Sequence, residues 1–343
     1  MNLKSVSDNT AVTLLPSEID ASLVEKLKLF LSQHEAFSPN TLKKIKSTFN
    51  LWSNWCKENN RQVLPVLSGD FRDYITHMYK RGLASTSIDS HKTMMNLIHR
   101  HIGLDPITAD IAVTRDLSIV RRRSIMEGER TGQAIPLRMA DLRQLETIWT
   151  DSSKLVQLRN LAALHMSYNT MLRISELARV RVRDLTLQSN GTMLIHVPYT
   201  KTILTASGLV KILSRHVTQI VQRWLKATSL LDHPDAYVLS PVHRTNKVIP
   251  AEKPMTHAAC NAIFAQAWRD MGKEEVAPNK GRYTCWTGHS CRVGAAQDLM
   301  LSGASLAAIM HEGTWRDPKM AMQYLREIEA QNSELVKLYD GEM

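Results

Sequence analysis

Residues suited to handling anions gather between Gly281 and Tyr324, in the stretch GRYTCWTGHSCRVGAAQDLMLSGASLAAIMHEGTWRDPKMAMQY. His289 and Arg292 stand three apart behind Gly288, where Val293, Ala296 and Met300 begin a helical spacing, so both side chains share one face at a helix start. The unpaired N–H groups of such a start, with a guanidinium beside them, suit a phosphate. A second segment, SLAAIM, is expected to stop at Gly313 and leave Trp315 in the connection that follows. Asp317 then reads as an N-cap with Pro318 at the first helical position, opening a helix that carries Met320, Tyr324 and Leu325. A lone HxxR fits a solvated helix face equally well, and a lone Tyr on an amphipathic helix fits a core or its rim. Cys285, His289 and Cys291 have the types of a metal site, yet no second Cys/His pair at finger-like spacing follows, which disfavours zinc.

These residues need a scaffold, and the chain is long enough for two domains. At 343 residues and 43% hydrophobic content each half can bury a core. The formal net charge of +10 points to a polyanionic partner, of which nucleic acid is the commonest. No apolar run reaches the length of a membrane span and no export signal opens the chain, so a cytoplasmic protein without membrane contact is expected. Cys56, Cys260, Cys285 and Cys291 are few and scattered, and read as reduced packing residues.

Residues 1–18 are polar and unpatterned, an expected flexible arm. From 19 to 127 the spacing predicts an all-helical module of about five helices. Ser38-Pro39 caps one helix, with Leu42, Ile45, Phe49, Trp52 and Cys56 on a core face and Lys43, Lys44 and Lys46 near its start. Ser85 and Thr86 open another that carries Lys92 and Arg100, and a later helix bears Arg121, Arg122 and Arg123. Residues 128–136 lack apolar periodicity and read as a linker. The second domain, 137–343, begins with two helices, the second broken near Asn169-Thr170, after which Arg173 and Glu176 stand three apart. TMLIHVPYTKTILTA alternates as a β-hairpin with Lys201 at its tip; helix resumes to about Leu230 and again from Thr256 to Met271, with His257 at its start. A short amphipathic helix near 332–340 ends the chain with Leu335, Val336 and Leu338 on one side, expected to dock.

In order, then, the second domain presents Arg173 with Glu176 in MLRISEL, Lys201 at a hairpin, His289 and Arg292 in GHSCR, Trp315 in GTW, and Tyr324 in MQYLR. That ordered set resembles the active site of the tyrosine site-specific recombinases, in particular the Cre-like recombinases of phages and plasmids, and the phrase LWSNWCKENNR is similar too. The likeness runs from about residue 20 to the end. It implies a mainly α fold with a small β-sheet in the C-terminal domain: an all-helical core-binding domain and an α+β catalytic domain that clamp duplex DNA. The family places His or Trp where this chain has Trp315, while the base-reading helices differ in side chains, which leaves the target sequence open.

The chemistry explains the residue types. Charge spreading over phosphate oxygens in the transition state calls for fixed donors, and Arg173 and Arg292 can fork onto them better than lysines. His289 and the indole N–H of Trp315 can each add a hydrogen bond; whether His289 also accepts the phenol proton stays open. Tyr324 is the expected nucleophile: a phenol with a free pKa of about 10 ionises more readily among cations, and a phosphotyrosine diester conserves bond energy, so no ATP or other cofactor is needed. Lys201 is the expected general acid for the leaving 5′ oxygen. Glu176 would orient Arg173 or His289, or serve as a plain helix-face pair. No acidic cluster for divalent ions accompanies the set, so metal-dependent cleavage is disfavoured.

The resemblance further implies double-stranded DNA with an inverted-repeat target, a homo-tetramer on two sites, a Holliday junction and docking of the terminal helix on a neighbouring protomer. Lys43, Lys44, Lys46, Thr86, Lys92, Arg121, Arg122 and His257 are the expected DNA contacts. A type IB topoisomerase and a non-catalytic DNA-binding protein are the competing readings; DNA relaxation without a defined site would favour the first, and site-specific shifts without a covalent adduct the second.

Overall fold

The computed structural model describes residues 21–32, 37–130, 132–197, 208–276, 283–331 and 333–340. The chain divides into two units, Met1–Arg130 and Thr131–Met343. The expected arm and Lys201 lie outside the described residues.

The first unit is helical: α1 (Ala21–Ser32), α2 (Pro39–Glu58), α3 (Ser68–Lys80), α4 (Ser85–Ile102), a 3-10 turn at Ile107–Ala109, and α5 (Ile111–Met126). Two of these helices start at a side-chain cap. Ser38 Oγ accepts the Thr41 N–H at 3.2 Å ahead of Pro39, and Asp110 Oδ1 accepts the Ala112 N–H at 2.8 Å. Ile45, Phe49, Trp52 and Cys56 line the buried face of α2, each large side chain worth about 1.5–3 kcal/mol on burial. Trp52 Nε1 donates to the Val63 carbonyl at 2.9 Å, which ties α2 to the following loop. Buried His99 spans a similar gap: Val66 N–H donates to its Nε2 at 3.3 Å, and its Nδ1 donates to the Asp105 carbonyl at 2.8 Å.

The second unit combines α6 (Met139–Trp149), α7 (Leu155–Thr170), the short α8 (Ile174–Leu177), a sheet, α9 (Arg215–Ala227), α10 (His257–Asp270), α11 (Ser290–Leu301), α12 (Leu306–Gly313), α13 (Pro318–Gln331) and α14 (Glu334–Asp340). The sheet has the order β1 (Leu185–Leu187), β2 (Met193–Val197), β3 (Leu209–Leu213), all antiparallel. Sequence alternation located β2; it missed β1, whose three residues are too few to show a period, and it missed β3, which falls at Leu209–Leu213, beyond the alternating segment, where helix was expected to resume. The register pairs Ile195 with Lys211 and His196 with Val210. Its consequence runs against hydropathy: Lys211 and Leu213 face inward, while Val210 and Ile212 are exposed. The fold is thus mainly α with a small sheet in the second unit.

Two glycines permit close approaches. A Cβ on Gly294 of α11 would lie 1.8 Å from the Leu137 carbonyl oxygen, so α11 packs directly on backbone there. α12 ends at Gly313 as expected; the left-handed residue that follows is Thr314 (φ 53°), and a Cβ on Gly313 would meet the Trp315 ring at 2.2 Å. Space for Trp315 is what this position requires. The segment expected as a linker is also packed at its end: Ala134 is buried and the Pro136 carbonyl accepts from Trp286 Nε1 at 3.1 Å.

Candidate active site

The break after α7 sets the first site residue. Met171 adopts a left-handed conformation (φ 51°), and the chain restarts at Arg173, the N-cap of α8. Glu176, 2% exposed, holds Arg173 twice: Oε2 accepts the Arg173 backbone N–H and Oε1 accepts from Nη1, both at 3.0 Å. The three-residue spacing is therefore a capping box that also fixes a guanidinium.

His289 and Arg292 start α11. The turn before them is closed by Ser290, whose Oγ accepts the Thr287 N–H at 2.9 Å, and by Asn261 of α10, whose Oδ1 accepts the Gly288 N–H at 2.9 Å. Arg292 is 2% exposed, and its Nη1 and Nη2 donate to the Met171 and Gly313 carbonyls. Its guanidinium carbon lies 4.4 Å from the centroid of the Trp315 ring, and the Trp315 and Tyr324 rings stack at 5.3 Å with 29° between planes. Burial, then Arg173, pulls the Arg292 pKa down to about 10, against smaller opposing effects of Tyr324 and Glu176. His289 is held below the ordinary imidazole value by partial desolvation, then by Arg292, Arg173 and His257. Arg173, Glu176, His289, Arg292, Trp315 and Tyr324 thus form one electrostatic and packing cluster in the second unit.

Tyr324 is half-buried on α13, where Asp317 Oδ1 accepts the Lys319 N–H at 2.9 Å, the cap expected from sequence. The Tyr324 carbonyl accepts from Gln297 Nε2 at 3.1 Å and Gln133 Nε2 at 3.2 Å. Neither glutamine was signalled by sequence, because both act on backbone from distant elements. Lys211 was missed as well. It is 8% exposed, its Nζ donates to the Glu312 carbonyl at 2.5 Å, and burial first lowers its pKa, with Arg292 adding to that and Glu312 opposing it. No sequence signal could have found it, because hydropathy alone puts Lys211 on the outer face of its strand.

Among the expected DNA contacts, Lys43, Lys44, Thr86, Arg121, Arg122 and His257 are exposed and Lys46 is half-buried. Lys44 also lowers the pKa of His91 after burial, placing charges of α2 and α4 near one another. Lys92 is no free cation: it pairs with Asp89 at 2.8 Å, one turn back on its own helix. His257 sits beside His289, with its Nδ1 3.1 Å from Asn261 Nδ2, so its neighbourhood is the cluster just described. The cysteines match packing residues in chemistry: burial raises Cys56 and Cys291 to about 12 and Cys260 to about 11, keeping them as thiols. Among the described residues, no helix is long and apolar enough to cross a membrane.

A buried guanidinium, a second one held by a carboxylate, and a phenol stacked beside them make an arrangement suited to handling a phosphate. Residues 137–331 match the Phage integrase family, and the chain belongs to that family. It is 34% identical over 342 residues to the recombinase cre of Escherichia phage P1, covering 99% of this chain and 98% of that one. The fold is similar to the Tn1549 transposon integrase in complex with transposon right end DNA (TM-score 0.57, 17% identity, 88% of this chain, 94% of the other). It is likewise similar to XerH recombinase bound to palindromic difH substrate (TM-score 0.51, 14% identity, 96% and 99% covered). This chain is a Cre-like tyrosine recombinase, a DNA strand-transferring enzyme.

Proposed function

We propose that the enzyme recombines DNA at a specific site through a covalent 3′-phosphotyrosine intermediate on Tyr324 and a Holliday junction, without ATP or metal. In cleavage, Tyr324 Oη gives up its proton, to His289 or to solvent, and attacks the scissile phosphorus, the bond to the 5′ oxygen breaks, and Lys201 supplies the proton that the departing oxygen takes. Religation reverses these steps with the 5′ hydroxyl of the partner strand. Arg173 and Arg292 hold the non-bridging oxygens, His289 and Trp315 donate further hydrogen bonds, and Glu176 orients Arg173.

The observation that carries this reading is the Arg292–Trp315–Tyr324 stack, with the guanidinium 4.4 Å from one ring centroid and the two rings 5.3 Å apart. A guanidinium already desolvated and tied to two carbonyls needs little reorganisation when charge develops on a phosphate, and its remaining N–H groups are free of those two bonds. The phenol lies beside that positive charge.

The substrate in this reading is an inverted-repeat duplex. The exposed basic residues Lys43, Lys44, Arg121 and Arg122, with half-buried Lys46, contact its backbone. Thr86 at the α4 start and His257 beside the active site complete the contacts. Lys92, already paired, contributes less. Four protomers act on two sites, and the tail supports this: Leu335 and Tyr339 of α14 are 67% and 87% exposed. The same unit has an open cavity of about 1280 Å³ whose wall includes Val210, Ile212, Leu299 and Met310. An amphipathic helix from a neighbouring copy matches that wall, and head-to-tail contacts of this kind form a ring when the rotation between copies closes.

The test is capture of covalent adducts. The protein is incubated with a randomised or fragmented DNA library, quenched in detergent, and the attached DNA is sequenced for wild type and Tyr324→Phe. Attached DNA converging on an inverted repeat and vanishing in the variant supports the proposal. Native mobility shifts with no covalent DNA would leave a binding protein.

A further inference from the structure

Outside the proposed strand-transfer set, three side chains from three helices converge on the wall of the cavity: Glu146 of α6, His165 of α7 and His216 of α9. Their donor atoms all lie within 4.8 Å of one another. His216 Nε2 is 2.9 Å from Glu146 Oε2, and His165 Nε2 is 3.8 Å from the same oxygen. The histidine rings meet edge to face, with centroids 5.7 Å apart.

An ordinary ion pair accounts for His216 and Glu146 but leaves His165 unexplained. That residue is 3% exposed, and its Nε2 is buried without a hydrogen-bond partner. A buried polar atom in that condition calls for a specific reason, such as an ion. Burial also favours the neutral ring, which offers a lone pair.

We propose that Glu146, His165 and His216 form a binding site for a divalent transition-metal ion of the zinc type, joining α6, α7 and α9. Two imidazoles and one carboxylate are a zinc-compatible donor set that leaves a fourth position open. Donors roughly 2.0–2.1 Å from a tetrahedral ion stand roughly 3.3–3.5 Å apart. The observed separations of 2.9 and 3.8 Å straddle that value, and a small shift of the Glu146 carboxylate, whose Oε2 is common to both, brings them together. None of the three belongs to the proposed catalytic set, so the inference goes beyond the strand-transfer reading and does not depend on it. The ion would tie α7 and α9 to α6 on the wall of the cavity and raise the resistance of this unit to unfolding.

The probe is Co2+ added to the metal-free full-length protein. The expected result is one Co2+ per chain with a visible d–d band of tetrahedral intensity, displaced by Zn2+, and a Tm that rises with Zn2+. His216→Ala, at an exposed position that should leave folding intact, and Glu146→Gln should each weaken binding by at least about 10-fold and remove the Tm rise. DNA cleavage by metal-free protein should persist. No bound Co2+, a band unchanged in both variants, or an intense thiolate-to-cobalt charge-transfer band would each overturn the assignment.

Discussion

The Arg292 guanidinium sits on the face of Trp315, 4.4 Å from the ring centroid, while the same indole stacks on Tyr324. One side chain therefore fixes both the buried cation and the phenol. Trp315→Ala should reduce cleavage far more than Trp315→Phe, because Phe keeps a ring against Arg292 and Tyr324 and loses only the indole N–H. Single-turnover covalent-adduct formation at saturating DNA would measure this. Equal losses in the two variants would mean that the N–H, and not the packing, is what matters.

The pH profile should reflect His289. Its pKa is lowered by partial desolvation, then by Arg292, Arg173 and His257, so these surroundings favour the neutral ring. A lowered folded-state value means that the unfolded chain takes up the proton first as pH falls. The associated stability is complete above the ordinary imidazole pKa and is lost as pH falls through and below it. Chemical denaturation at pH 7.5 and pH 5.5 should show a smaller pH-dependent loss for His289→Gln than for wild type. An identical loss would contradict the lowered value.

Lys201→Ala should slow cleavage of an ordinary strand by about 100-fold or more, the usual scale for removing a general acid. A substrate with a 5′ bridging sulfur has a leaving group that needs no proton and should restore the rate. Lys211→Met supplies the control, since that lysine is already committed to the Glu312 carbonyl at 2.5 Å. Sulfur rescue of Lys211→Met and not of Lys201→Ala would reassign the acid.

Glu176 makes two bonds to Arg173, one to its backbone N–H and one to its guanidinium. Glu176→Gln should keep the backbone bond and blunt the second, costing about 10-fold in cleavage, and Glu176→Ala closer to about 100-fold. Thermal melts in parallel separate positioning from folding: a plain helix-face pair would lower Tm and leave the cleavage rate of folded protein unchanged.

Gly294→Ala should destabilise the second unit by about 3 kcal/mol or more. Its Cβ would fall 1.8 Å from the Leu137 carbonyl oxygen, and backbone has less freedom to yield than a side chain. Urea unfolding would read the loss, and a value under about 1 kcal/mol would show that α11 shifts easily.

Much of this protein was legible from the order of its residues. The caps Ser38, Asp317 and Pro318, the apolar spacing of α2 and the alternation of β2 are local signals, written over a few residues and obeyed by the fold. The ordered phrases MLRISEL, GHSCR, GTW and MQYLR likewise marked the residues that the fold clusters.

What needed tertiary structure was everything set by approach between distant segments. Gly313 ends α12 as its spacing suggested, but that it also makes room for the Trp315 ring shows only in the packed state. Lys211 points inward because β3 pairs with β2 in the register that sets it opposite Ile195, a choice of face that hydropathy alone reads backwards. Gln133 and Gln297 meet at the Tyr324 carbonyl, and Glu146, His165 and His216 meet across three helices. Sequence spacing carries information about neighbours along one element, whereas these contacts depend on how separate elements pack, which is a property of the whole unit.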